Sequence, residues 1–121
     1  MTDPLIRLKT RGDFLRVAAG RGRAVRPGMV VQAAPQPGGV DTGLRVGFTA
    51  SKRVGNAVAR NRAKRRLRAA ASAVLPRCGN AGTDYVLIAR AGTGARQYAD
   101  LLADLEGALR QLARPRRGGE G

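Results

Sequence analysis

The sequence predicts a single α+β domain, a sheet layered with helices, and three segments carry that expectation. Residues 85–89, YVLIA, are continuously apolar, as in a strand buried on both faces. Residues 97–113, QYADLLADLEGALRQLA, set Leu101, Leu105, Ala108 and Leu112 on one helical side, backed by Leu102 and Leu109. Residues 56–75 form another helical pattern. Ala59, Ala63, Leu67, Ala70 and Val74 fall in one stripe about 80° wide, and basic side chains cover much of the remainder.

The elements follow in the order helix, strand, strand, helix, strand, helix. In RGDFLRVAAG, residues 11–20, Phe14 and Val17 stand three apart and the segment ends in Gly20, which predicts a short helix with a glycine C-cap. RGRAVRPG, residues 21–28, reads as a basic, Gly-rich turn. MVVQAA from Met29 and LRVGFTA from Leu44 read as strands, and the Pro- and Gly-rich PQPGGVDTG between them predicts an antiparallel hairpin. Asn56 is an expected N-cap for a helix running to Leu75, with Pro76 just beyond its end. The strand from Asp84 is expected at the centre of the sheet, which the helices cover on one side. Residues 1–113 are expected to be one domain, and RPRRGGEG, residues 114–121, a basic disordered tail. No internal repeat is present.

A chain of 121 residues with a net charge of +15 and a pI near 11.8 selects polyanionic partners. A membrane is the weaker choice, because the basic helix carries mostly Ala on its apolar side and no apolar run approaches a span. MTDPLIRLKTRGDF lacks the apolar core of a signal peptide, so a cytoplasmic protein is expected. Cys78 is the sole cysteine and reads as an inert thiol. The absence of histidine removes the commonest general acid/base and the commonest zinc ligand. Asp100, Asp104 and Glu106 lie on the last helix, while Asp3, Asp13, Asp41, Asp84 and Glu120 are scattered at segment ends. Asp100 and Asp104 read as a solvated face balancing Arg96 and Arg110. Neither a catalytic residue nor a metal site is expected in this chain.

Six basic residues crowd into positions 60–68: Arg60, Arg62, Lys64, Arg65, Arg66 and Arg68. On a helix they form five like-charge pairs at i,i+3 or i,i+4, a destabilisation of roughly 1–2.5 kcal/mol unless anions lie between them. Small domains have only about 5–15 kcal/mol of stability, so the helix points to a missing partner. Arginine forks match phosphate oxygens, and structured RNA is recognised largely through shape, phosphates and 2′-hydroxyls. Lys52 and Arg53 add charge beside Asn56, where the helix dipole favours an anion.

The segment RVGFTASKRVGNAVARNRAKRRLRAA, Arg45 to Ala70, closely resembles the protein subunit of bacterial ribonuclease P. RLKTRGDFLRV, DYVLIAR and the Leu-rich last helix extend the resemblance over most of the chain. It implies a small basic protein that helps a catalytic RNA remove 5′ leaders from precursor tRNA, with magnesium bound mainly by the RNA and with neither membrane nor DNA as partner. It also implies a left-handed βαβ crossover, an exception to a strong rule.

Carried onto this chain, the resemblance assigns catalytic-RNA contacts to Lys52, Arg53, Asn56, Arg60, Asn61, Arg62, Lys64, Arg65, Arg66 and Arg68. It assigns the single-stranded leader to a cleft between the basic helix and the sheet, with Phe14, Val17, Ala18, Gln32, Phe48 and Arg90. Relatives commonly carry aromatics at the positions of Ala18 and Gln32, so this chain offers few rings for base stacking. Leader affinity is therefore expected to rest more on phosphate contacts, and so on salt. Phe48 reads either as a stacking surface or as core, and Gly47 either as a bulge or as a close backbone approach. Two other classes compete: a ribosomal or general RNA-binding protein without a role in cleavage, and a stand-alone nuclease, which the lack of histidine disfavours.

Overall fold

A computed structural model describes residues 5–37 and 43–113. The expected tail at 114–121 and the middle of the 35–43 loop lie outside the described residues. The elements are β1 (Leu5–Arg7), α1 (Arg11–Ala19), β2 (Gly22–Val25), β3 (Met29–Pro35), β4 (Leu44–Thr49), α2 (Ala57–Cys78), β5 (Thr83–Ala89) and α3 (Tyr98–Ala113). Short 3-10 turns occupy Lys52–Val54 and Thr93–Ala95. The sheet runs β1-β4-β5-β3-β2, which puts the most apolar strand, β5, in the middle. β4 and β5 are parallel and joined through α2, β3 is antiparallel to β5, and β1 adds in parallel to β4.

The expected hairpin between β3 and β4 does not form. β5 lies between them, with Leu87 opposite Val31 on one side and Phe48 on the other. A strand apolar on both faces gains most from the central position, and that long-range gain overrides the local pairing. The true hairpin is β2–β3, closed where Arg26 N–H donates to the Met29 carbonyl at 2.9 Å. It lies partly in the segment that composition marks as a turn. α2 also runs past its expected end, carrying Pro76 in its last turn. Val74 and Leu75 are fully buried there, and Gly79 N–H closes on the Leu75 carbonyl at 2.8 Å. That burial holds the final turn despite the hydrogen bond that proline cannot make.

Strand alternation sorts the side chains into two unequal layers. Met29, Val31, Leu44, Val46, Phe48, Tyr85 and Leu87 face α2 and α3 in the main core. α2 contributes Ala63, Leu67, Ala70, Ala71, Val74 and Leu75, whose small members allow close approach, and α3 contributes Leu101, Leu105, Ala108 and Leu109. The sheet is not covered on one side only. α1 lies on the opposite face over a small cluster of Leu8, Val17 and Val86, fringed by Phe14, Ala34 and Ile88. Gly47 belongs to this layer. A Cβ there would lie 2.5 Å from the Phe14 ring, so the glycine makes room for the ring.

Candidate nucleic-acid interface

The basic helix begins with two caps in series. Ser51 Oγ accepts from Arg53 N–H at 3.3 Å, and Asn56 Oδ1 accepts from Ala59 N–H at 2.9 Å. Between them Gly55 adopts φ +141°, where a Cβ would also meet the Ala59 methyl at 2.9 Å. The side-chain oxygen of Asn56 is therefore occupied by its own helix. Lys52 and Arg53 are exposed on the turn just before it.

The six cations of α2 divide by what they touch. Arg62 and Arg65 are exposed and Lys64 half-buried, and their side chains make no hydrogen bond or ion pair among the described residues. Arg68 lies over the Phe48 ring at 6.0 Å, and Arg7 lies over the same ring at 5.4 Å. Arg60 donates to the Gly55 carbonyl at 2.8 Å, tightening the helix start. Arg66 donates to the Gly94 carbonyl at 3.3 Å and to that of Arg96, which pins the β5–α3 connection. Asn61 is exposed. Among the described residues no carboxylate pairs with this cluster, so its mutual repulsion finds no internal relief.

The leader set does not come together as the resemblance implies. Leu67, Ala70, Ala71, Val74 and Leu75 are buried between α2 and the sheet, in the main core. Phe48 is 8% exposed and faces that core, because β4 alternates and Gly47 takes the other side. Phe14, Val17, Ala18 and Gln32 instead belong to the α1 side, where Gln32 pairs across to Val86 and Arg23. Ala18 is exposed, whereas Val17 and Gln32 are buried. Arg90, exposed at the end of β5, donates to the Arg26 carbonyl at 2.7 Å and so ties the β2–β3 turn to the sheet. A cavity of about 390 Å³ lies elsewhere, between Gly20, Pro35, Gly82 and Leu112, and contains none of these residues.

The α1 side holds a second charged cluster that reading the acids as scattered missed. Asp84, fully buried at the start of β5, accepts from Arg45 Nε and Nη2 at 2.7 Å each and from Arg16 Nη2. Arg16 also donates to the Pro35 carbonyl at 2.8 Å. Asp13 stands 3.3 Å from Arg16 and 3.7 Å from Arg45, which closes a balanced quartet. Burial pushes the Asp84 carboxyl up, but the two arginines outweigh it and hold it below the usual carboxylate range. The available signal was a carboxylate opening an apolar strand, DYVLIA, since such a group needs a partner.

Two acids of α3 are also engaged, while Asp100 is exposed. Asp104 pairs with Arg96 at 2.6 Å and accepts from Gly28 N–H at 2.9 Å, and Glu106 pairs with Arg77 at 2.9 Å. Asp13, Asp84, Asp104 and Glu106 each face an arginine, and no three carboxylates among the described residues come together to hold a metal ion.

The profile of the Ribonuclease P family matches residues 4–113. The chain belongs to the ribonuclease P protein family. The ribonuclease P protein component of Paramagnetospirillum magneticum is 53% identical over 115 residues, spanning 93% of this chain and 86% of its own. That of Ruegeria pomeroyi is 54% identical over 110 residues, spanning 90% and 87%. Among solved structures, the ribonuclease P protein of Staphylococcus aureus superposes with a TM-score of 0.71 at 26% identity, covering 88% of this chain and 94% of that one. The Thermotoga maritima ribonuclease P protein, at 23% identity, shares the fold with a TM-score of 0.72 over 87% and 96%. No helix among the described residues is long and apolar enough to cross a membrane.

Proposed function

We infer that this chain is the protein component of ribonuclease P, the ribonucleoprotein endoribonuclease that removes the 5′ leader from precursor tRNA. The observation that carries the reading is the cation face of α2, without a carboxylate partner among the described residues, in a member of this family.

The chain acts by binding. Arg62, Lys64, Arg65 and Arg68, with Asn61 and the preceding Lys52 and Arg53, lie against phosphates of the catalytic RNA. Asn56, Arg60 and Arg66 support this face by capping α2 and bracing its neighbours. The leader runs along the side of the sheet that carries α1, past Phe14, Val17, Ala18, Gln32 and Arg90. Phe48 serves the RNA face instead, as the ring beneath Arg68 and Arg7. Magnesium supplies the hydrolytic chemistry when bound by the RNA. This chain's residues organise RNA and grip substrate, in the cytoplasm.

Cleavage of a precursor tRNA at low magnesium tests the reading with this protein alone, the bacterial catalytic RNA alone, and both. Stimulation only with both is expected. RNA binding without stimulation would leave a general RNA-binding protein, and cleavage by the protein alone would overturn its non-catalytic role.

A further inference from the structure

We propose that the Asp84 quartet is a clasp that positions α1, and through it the leader-binding surface, an inference that rests on the leader reading above. α1 has nine residues, far fewer than a helix needs to persist alone. Only Val17 of the helix is fully buried, and the apolar cluster beneath it is small. Apolar contact therefore gives α1 little positional definition. Arg16 supplies it, reaching Asp84 on β5 and the Pro35 carbonyl on β3.

Arg16 sits between Phe14 and the pair Val17 and Ala18, the α1 residues assigned to the leader. Arg45, the other arm of the clasp, stands two residues before Gly47, on which the Phe14 ring rests. Ring seat and clasp thus share both α1 and β4. The bidentate Arg45–Asp84 pair, between register partners on β4 and β5, orients the carboxylate, and Arg16 from α1 then docks on it while Asp13 faces Arg45 at 3.7 Å. Arg16 and Arg45, already neutralised by Asp84 and Asp13, are withdrawn from the cations available to leader phosphates. The exposed Arg23, register partner of Gln32 on β3, remains available for that role.

The test uses the full chain carrying Asp84→Asn or, as the milder change, Arg16→Met, free and reconstituted with the catalytic RNA. Hydrogen exchange of the free protein should show α1 amides accelerated by a larger factor than α2 amides, which report only the change in global stability. In the holoenzyme, the preference for leader-bearing over leaderless tRNA should fall about tenfold, while affinity for the catalytic RNA stays within about twofold. Arg16→Lys should recover part of the preference.

An α1 acceleration no larger than that of α2 in both variants would overturn the clasp. So would a preference that both variants retain despite faster exchange, or an equal loss of affinity for the catalytic RNA. A wild-type holoenzyme without any leader preference would overturn the leader reading itself and, with it, the leader role of the clasp.

Discussion

Arg62 and Arg65 on α2 extend into solvent with no carboxylate near them, whereas Arg16 and Arg45 converge on one buried carboxylate on the other side of the sheet. The same side chain does opposite work in the two places. Where the fold needs a fixed distance, between α1 and the sheet, the chain places one of its eight acids at the focus. Where it presents charge outward, none of the described carboxylates pairs with it, and the like-charge cost persists until an external anion arrives. The contrast separates internal from external partners better than net charge does.

The largest expected effect breaks the internal side of the contrast. Asp84→Asn should destabilise the free protein by about 3 kcal/mol in urea unfolding, the low end for a broken buried pair because both arginines keep some water contact. A change below about 1 kcal/mol would mean that the quartet contributes no more than a surface pair. The same pair sets a pH dependence. The folded Asp84 carboxyl titrates below its unfolded value, so its contribution is present above the unfolded carboxylate range and is lost as pH falls through the folded pKa. Acid titration of stability should therefore be steeper in wild type than in Asp84→Asn.

The next test sharpens the contrast within one helix. Arg66→Ala should cost about 1.5–3 kcal/mol of stability, since it removes a charged donor from two carbonyls. Arg62→Ala/Arg65→Ala should instead stabilise the free protein, by about 0.5–1.5 kcal/mol, through relief of three like-charge pairs. Urea unfolding of both variants checks the opposite signs. Leader affinity carries a smaller, comparative expectation. Few rings line its proposed path, so its salt dependence should exceed that of relatives with aromatics at the positions of Ala18 and Gln32. An equal slope would show that stacking, not phosphate contact, carries the leader.

The parts of this contrast that were legible in the sequence are those with a local period. The stripe on α2, the leucines of α3 and the apolar run of β5 each announce themselves within a few residues. β1, three residues long, and β2, GRAV at a sheet edge, carry too little pattern to register. Pairing β5 between β3 and β4 is a long-range competition that no local window contains. For the candidate site, composition and motif marked the cation face but could not tell Arg66 from Arg65. That difference depends on a connection 28 residues away. The Asp84 quartet escaped for the same reason, since its arms come from residues 16 and 45.

The most direct test of the external side is the salt dependence of binding to the catalytic RNA, measured for wild type, Arg62→Ala/Arg65→Ala and Arg66→Ala. The predicted result is a slope lower by about two in the double variant, one unit per lost phosphate contact, and unchanged in Arg66→Ala. Equal slopes in wild type and the double variant would contradict the assignment of the α2 face to RNA.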